Sequence, residues 1–357
     1  WDDGHTGAGC REGRCEARVS PLEQAVPATS IAQVVSAPVV SISIIIPALN
    51  EEKMIGRCLE SLTTLAFARD RFEVLVVDNG SRDKTVNIAD SFKDRLNLKV
   101  LQQTDVCISA LRNLGARSAA GDILAFLDAD CLAPADWLDH IFSLAAAGGT
   151  GVIGAHYLLP EDSSWVGRTW HRYQEASKSG EVSHVPAGDL IMRRDDFLKL
   201  GGFDETIQTN EDYELCDRAR KAGMHVRAFP QIGVIHLGTA QSLRVFFRKQ
   251  AWHGTHVVKV FLRDVFRSHN RKAVFFAVYT LISMSAVAAG VVWALALHGT
   301  WVLPAVGLGA LCLPPTALTL KHVLSSRRYS DFFPLFALYL TYGIARAKAL
   351  LSIRNFI

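Results

Sequence analysis

The sequence predicts an α/β domain built on a mostly parallel β-sheet, followed by apolar helices in the C-terminal third. Two observations lead to this prediction. Between residues 41 and 158, apolar runs of strand length alternate with amphipathic segments of helical length. This alternation is typical of helices packed on both faces of a parallel sheet. After residue 272, two long apolar segments follow each other with a very short connection, as in membrane helices.

The α/β part begins with the strand SISIIIP and the amphipathic helix EEKMIGRCLESLTTLA. There follow the strand FEVLVVD, a helix from about Asp83, the strand LKVLQ, the helix SALRNLGARSAA and the strand DILAFLD. The unbroken apolar run from Ile123 to Leu127 predicts a central strand covered on both faces. Polar clusters follow the first, second and fourth strands, namely PALNEE, DNGSRDKT and DADC. Because ligands of such sheets bind beyond the carboxyl ends of the strands, the three clusters predict one site.

Two carboxylates, Asp128 and Asp130, end the fourth strand one residue apart. Burying unpaired carboxylates costs free energy, and carboxylates this close repel each other. A divalent cation that carries phosphates resolves this conflict, because hard cations take oxygen ligands. The other clusters also have a structural explanation, since Asn50 and Asp83 are placed to cap the helices that follow them. DNGS is favourable turn chemistry in any role.

Four segments in this order and spacing, SIIIPALNEE, VLVVDNGSRDKT, ALRNLGA and GDILAFLDADC, resemble the nucleotide-sugar domain of family 2 glycosyltransferases. The resemblance covers residues 41–238 and is to the membrane-anchored bacterial type, with the GT-A fold. It implies a nucleotide-sugar donor and a divalent metal, Mn2+ or Mg2+, held by Asp128 and Asp130. Such a metal neutralises charge on the departing diphosphate. The nucleotide-sugar-binding residues that the resemblance implies are Pro47, Asn50, Glu51, Asp78, Ser81, Arg112 and Asp128.

The resemblance continues through GDLIMRRDDFLKLGGFDE and NEDYELCDRARKAG. The second segment predicts a helix beginning near Asn210 or Glu211, with Leu215 and Ala219 facing inward. The resemblance implies an inverting enzyme with Asp212 as its base, because a sugar hydroxyl is a poor nucleophile until its proton is removed. The structural alternative is that both acidic residues are simply favoured at a helix N-terminus.

His236, in VIHLG, lies at the end of a predicted strand. A lone histidine is usually structural, but some relatives use one here as a metal ligand. The processive polymer synthases of the family carry Gln-x-x-Arg-Trp after this region, whereas this chain has QSLRVFF, with Val245 in place of Trp. This departure argues against a processive synthase. A sugar-nucleotide pyrophosphorylase would need a Gly-rich phosphate loop where PALNEE stands.

Four regions are predicted: a disordered tail at 1–39, the glycosyltransferase domain at 40–240, a basic amphipathic interfacial segment at 241–272, and membrane helices at 273–357. In the tail, Cys10 and Cys15 give only a weak metal or redox signal. The seven cysteines contain no CxxC pair, so we expect reduced packing residues. A net charge of +3 gives no global signature of nucleic-acid binding.

The membrane prediction is a hairpin formed by residues 273–297 and 301–320. A shorter apolar segment, Phe332 to Ala345, suits a re-entrant or interfacial helix as well as a third span. Lys and Arg residues flank both sides of the hairpin, which predicts a multi-pass protein of the inner membrane with a cytoplasmic catalytic domain. The alternative from another functional class is a non-catalytic membrane scaffold, which we would expect to lack one of the key aspartates.

A lipid-linked acceptor, either a polyprenyl phosphate or a lipid-linked saccharide, is predicted from the basic segment. Val257, Phe261 and Val265 recur at helical spacing beside many basic residues, which suits a helix in the headgroup layer that attracts anionic groups. The alternative is that the segment only anchors the domain. We expect the acceptor where this segment meets the GDLIMRR loop, and the predicted acceptor-side residues are Glu211, Gly188, Asp189, Arg248 and Trp252.

Overall fold

The structure is a computed structural model that describes residues 41–147, 151–173, 179–207, 209–263, 271–296 and 299–351. The predicted tail at 1–39 and Val265 lie outside the described residues. Between 255 and 263 only the backbone is described. The predicted apolar face of Val257 and Phe261 therefore also lies outside what the structure describes.

The domain is centred on a mixed eight-stranded sheet with the order β3-β2-β1-β4-β8-β6-β9-β7. Its first four strands are parallel to one another, but β8 is antiparallel to both β4 and β6. The prediction of a mostly parallel sheet therefore holds, since β6 and β9 are also parallel, but the second half of the sheet is mixed because β8 and β7 run antiparallel to their neighbours. The strands are β1 (Ile42–Ala48), β2 (Phe72–Asp78), β3 (Leu98–Gln102), β4 (Ile123–Leu127), β5 (Cys131–Leu132), β6 (Gly151–Gly154), β7 (Gly180–Glu181), β8 (Asp189–Arg193), β9 (His225–Ala228) and β10 (Ile235–His236), of which β5 and β10 form a separate antiparallel pair.

Helices cover both faces of the sheet, as the alternating pattern predicts. The helices are α1 (Ile55–Thr63), α2 (Thr85–Asp90), α3 (Ile108–Ser118), α4 (Trp137–Ala146), α5 (Trp165–Tyr173), α6 (Arg194–Lys199), α7 (Glu211–Lys221), α8 (Leu243–Arg263), α9 (Arg271–Ala296), α10 (Val302–Ser326) and α11 (Phe332–Leu351). Helices α1, α2 and α4 contribute to one apolar layer with Ile44 and Ile46, whereas α3, α6 and α7 contribute to the other with Ile45. Burial of β4 on both faces is confirmed, and so are the inward positions of Leu215 and Ala219.

Two C-terminal helices, α9 and α10, are long and apolar enough to cross a membrane, judged by length and composition only. They pack closely, because a Cβ added at Gly290 would lie 2.6 Å from the backbone nitrogen of Pro304. Small residues at such contacts are typical of membrane helix pairs. Helix α10 continues through Pro314 and Pro315 to Ser326, beyond the predicted end of the segment.

Helix α11 joins the α/β domain to the hairpin. It is 20 residues long, longer than the apolar segment seen in the sequence. It packs along α8 and contacts α5, α9 and α10. Leu338 is fully buried with Val166 and Phe246, and Trp170 of α5 stacks on Tyr342 at 5.8 Å. The C-terminal helices are therefore packed against the domain that carries the predicted site.

Candidate active site

The carboxyl ends of β1, β2 and β4 bring the three polar clusters together. The loop after β1 is bonded to the loop after β2, since the backbone nitrogen of Asn50 donates to Ser81 Oγ at 2.9 Å and that of Arg82 donates to Asn50 Oδ1 at 2.9 Å. Asn50 has a φ of 55° and does not cap α1, which begins five residues later. Asp83 does bond the start of α2, because its Oδ1 accepts from the backbone nitrogen of Thr85 at 3.0 Å.

Asp78 lies at the end of β2, beside the buried end of β1 that contains Pro47. Its Oδ2 accepts hydrogen bonds from the backbone nitrogens of Gly80 and Ser81 at 2.9 and 3.0 Å. Its Oδ1 is buried and has no hydrogen-bond partner within the described residues. Buried polar atoms are normally paired, so this oxygen is available to a hydroxyl or amino group of a ligand.

Arg112, on α3, joins two carboxylates from distant parts of the chain. Its Nη2 donates to Asp128 Oδ1 at 2.7 Å, and its Nη1 donates to Glu211 Oε1 at 2.7 Å. Burial alone would lower the pKa of this guanidinium, but the two carboxylates outweigh burial and raise it. The second oxygen of Asp128 accepts from Tyr157 Oη at 2.9 Å. Both oxygens of Asp128 are thus already engaged by protein groups.

Asp130 has a different environment, and it is the aspartate that is placed to bind a metal. Its Oδ2 lies 3.5 Å from His236 Nε2, and the ligand atoms of Asp130, Cys131 and His236 all lie within 4.8 Å of one another. Burial raises the pKa of the Cys131 thiol above its usual range, and the thiol is not the form that binds metals. Residue 238 beside this pair is glycine, and a larger residue would crowd the carboxylate, because an added Cβ would stand 2.2 Å from Asp130 Oδ2.

Glu51 adds a third carboxylate to this end of the site. Burial together with the charges of Asp130 and Asp128 raises the pKa of Glu51 to about 7. Lys249 of α8 opposes this rise. Several carboxylates held this close are stabilised by a cation, so their arrangement suits the divalent metal that the resemblance implies.

Asp212 lies in the first turn of α7, after Asn210 in the left-handed conformation with a φ of 63°. Its Oδ1 accepts from the backbone nitrogen of Tyr213 at 2.7 Å. Burial and the neighbouring charge of Glu211 raise the pKa of Asp212 to about 7. Asp212 opens into a cavity of about 1140 Å³ that is also lined by Asp128 and His236.

Residues 43–201 match the family model described as Glycosyl transferase family 2. These residues form a family 2 glycosyltransferase domain. The chain is 29% identical over 229 residues to glycosyltransferase AglE of Haloferax volcanii, covering 62% of this chain and 75% of that protein. It is 24% identical over 338 residues to "Probable glycosyltransferase YdaM" of Bacillus subtilis, covering 85% of this chain and 80% of that protein.

The fold agrees with this family. The mannosyltransferase PcManGT from Pyrobaculum calidifontis, solved with GDP-Man and Mn2+, superposes with a TM-score of 0.57 at 17% identity, covering 88% of this chain and 86% of that one. The glycosyltransferase therefore has the GT-A fold. The alternative of a non-catalytic membrane scaffold is set aside, because the family match and the glycosyltransferase relatives identify an enzyme.

Two residues assigned to the acceptor side of this glycosyltransferase lie in the strand region. Gly188 contacts the site, since an added Cβ would stand 2.1 Å from Asp128 Oδ2 and 2.5 Å from Tyr157 Oη. Asp189 does not face the cavity, which corrects the sequence assignment. It begins β8, not a loop, and is fully buried, so burial raises the pKa of its carboxyl well above the usual range.

Arg248 and Trp252 are also corrected. Both are exposed on α8 and do not line the cavity. Successive helical residues are rotated by about 100°, so the neighbouring positions 249, 250 and 253 face the cavity instead. These are Lys249, Gln250 and His253.

Several cavity residues carry no sequence signal and were missed. Tyr157 bonds Asp128 and lies with its ring 4.6 Å from that of His236. His184, with its ring 5.6 Å from that of Tyr213, lines the cavity near Asp212. Gly238 was detectable in principle, because a glycine two residues after a candidate ligand leaves room for an ion.

Proposed function

We propose that the enzyme inverts the anomeric centre, depends on a divalent metal, and transfers a sugar to a lipid-linked acceptor at a membrane in glycan or polysaccharide biosynthesis. One observation carries this proposal: Asp212, Asp128 and His236 open into one cavity that is also lined by residues of α8 and α11. A donor, a base and an acceptor can meet there. The volume of about 1140 Å³ exceeds that of a site for one small ligand.

Asp130 and His236 would hold the metal, either Mn2+ or Mg2+. The carboxylate of Asp130 suits either ion, and the fold neighbour PcManGT was solved with Mn2+ and GDP-Man. The metal would supply positive charge to the departing diphosphate. Asp128 has a positioning role, because it orients Arg112 and Tyr157.

Asp212 would accept the proton of the attacking acceptor hydroxyl. A base is most effective when its pKa lies near the working pH, and the pKa of Asp212 near 7 meets this condition. Its ionised form is present above that pH. Glu211 faces Arg112 instead, so it is bound in an ion pair and is the weaker candidate for the base.

A lipid-linked acceptor is supported by the position of the cavity beside the C-terminal helices. Helix α8 lines the cavity and packs along α11, which in turn contacts α9 and α10. We propose that α9 and α10 span the inner membrane and that the catalytic domain faces the cytoplasm, where nucleotide sugars are made.

The test is a screen of radiolabelled UDP- and GDP-sugars with the full chain, membrane lipid extract and either Mn2+ or Mg2+. Label should appear in extractable lipid. Asp130→Asn should remove most turnover and weaken metal-dependent nucleotide binding, whereas Asp122→Asn, an exposed position at the other end of the same strand, should leave both unchanged. Full wild-type activity after verified metal removal would contradict metal dependence.

A further inference from the structure

We infer that Arg346 of α11, together with Lys249 and Gln250 of α8, binds the phosphate of the acceptor lipid. This inference rests on the proposed lipid-linked acceptor and names the group by which it is recognised. The three side chains line the same cavity as Asp212 and His236.

Arg346 has hydrogen-bonding capacity that the protein leaves unused. Its Nη2 donates to Gln250 Oε1 at 3.1 Å, and its guanidinium lies 4.8 Å from the centre of the Tyr342 ring. Its Nε and Nη1 are buried and have no hydrogen-bond partner within the residues that the structure describes. A buried guanidinium is normally paired through its full set of donors, so the unused edge is suited to an anion.

The carboxylates of the cavity do not supply that anion. Asp128 is paired with Arg112, and Glu181 is paired with Arg227 at 3.0 Å. Asp212 forms no ion pair with Arg346 in the described part of the chain. Arg346 is therefore left to a ligand, and a phosphate matches the planar fork of a guanidinium.

The packing of α8 on α11 keeps the guanidinium at the cavity wall. Residue 254 is glycine, and an added Cβ would stand 2.6 Å from Ala349 Cβ and 3.2 Å from Arg346 Cδ. The two helices can approach only because this side chain is absent. The neighbouring Lys249 donates to the carbonyl of Gly238, beside Asp130. Lys249 thus adds a second positive charge to the cavity that Arg346 lines, next to the proposed metal site.

The experiment measures binding of radiolabelled undecaprenyl phosphate to the full chain in detergent micelles by scintillation proximity. Arg346→Gln should weaken binding tenfold or more, because hydrogen bonds to charged groups are among the strong ones. Arg346→Lys should lose less binding affinity than Arg346→Gln. The matched control is Lys348→Gln, which removes the same charge from an exposed position of α11 and should change binding less than twofold. Undecaprenol, which lacks the phosphate, should not compete.

A second readout separates a binding role from a structural one. A largely buried cation without an anionic partner is unfavourable. Arg346→Gln should therefore keep or raise the melting temperature. The inference would be overturned if Arg346→Gln lost lipid binding and also had a lower melting temperature, and if Arg346→Lys showed the same two defects.

Other outcomes also decide. Unchanged lipid binding in Arg346→Gln, or equal competition by undecaprenol, would overturn the inference. Displacement by micromolar inorganic phosphate would assign the site to free phosphate. A tenfold loss of UDP or GDP affinity in Mn2+ would assign Arg346 to the donor. Wild-type protein that binds undecaprenyl phosphate through Arg346 but transfers no sugar to any lipid would uphold the inference and contradict the proposed function.

Discussion

Replacing Asp212 by asparagine should make the protein more stable and nearly inactive, and the gain in stability should depend on pH. Burial and the charge of Glu211 raise the pKa of Asp212 from its ordinary value of 3.8 to about 7. The folded state therefore holds a proton that the unfolded state releases between pH 4 and 7. Stability falls as the pH rises through this range. Asparagine has nearly the same shape and never ionises, so it avoids this loss.

The magnitude follows from the pKa. A change from 3.8 to about 7 corresponds to about 4 kcal/mol, at about 1.4 kcal/mol for each tenfold change in the proton-binding constant. This is an upper value, because the charge and position of Glu211 can adjust when Asp212 ionises, which reduces the repulsion between the two carboxylates. The stabilisation by Asp212→Asn should be close to zero at pH 4 and largest above pH 7. Turnover should fall by about 10²- to 10⁴-fold, as for loss of a general base.

The assay is thermal unfolding of the full chain in nanodiscs at pH 5 and pH 8, followed by intrinsic fluorescence, with donor binding measured in parallel. The melting temperature of Asp212→Asn should exceed that of wild type by more at pH 8 than at pH 5. Asp195→Asn, an exposed acidic position in the first turn of α6, is the control and should show no such dependence. An equal decrease at both pH values, or near-normal turnover at saturating donor, would refute the reasoning and make Glu211 the candidate base.

Two further predictions concern the other end of the site. Gly238→Ala should abolish Mn2+-dependent nucleotide binding in calorimetry without unfolding, because its methyl would stand 2.2 Å from Asp130 Oδ2; Gly309→Ala, with open space around it, should bind normally. Arg112→Met should destabilise by at most about 3 kcal/mol in chemical unfolding, because two partly buried carboxylates, Asp128 and Glu211, lose their partner. The exposed Arg117→Met on the same helix should lose about 0.5 kcal/mol or less, and equal losses in the two variants would contradict this.

The first half of the fold was predictable because its strands are long apolar runs with a clear alternation. The second half was not. The run from Asp189 to Arg193 was treated as a loop, yet it forms a strand antiparallel to β4. Strand direction is set by the path of the chain between strands, which local residue patterns do not encode. The burial of Asp189 follows from its place in this strand.

The placement of Asp78, Asp128 and Asp130 in the candidate site was predictable, because the sequence puts them at strand ends. Placement was not predictable where a side chain acts through contact with a distant segment. Tyr157 lies 29 positions from Asp128, and Arg346 lies 96 positions from Gln250. On α8 the cavity is lined by Lys249 and not by the neighbouring Arg248, because residue type alone does not determine which face of a helix meets the cavity.

Under the proposed function, the fork of Arg112 explains how the donor and the base are kept in register. Asp128 follows β4 at the proposed donor site, and Glu211 precedes Asp212, the proposed base, on α7. Since both carboxylates share one buried guanidinium, neither element can shift without leaving part of an ion pair unmatched, which is costly away from water. Inversion requires the acceptor oxygen and the leaving diphosphate on opposite sides of one carbon, and small misplacements reduce such rates strongly. We therefore propose that Arg112 is a positioning residue that fixes this distance before either substrate binds.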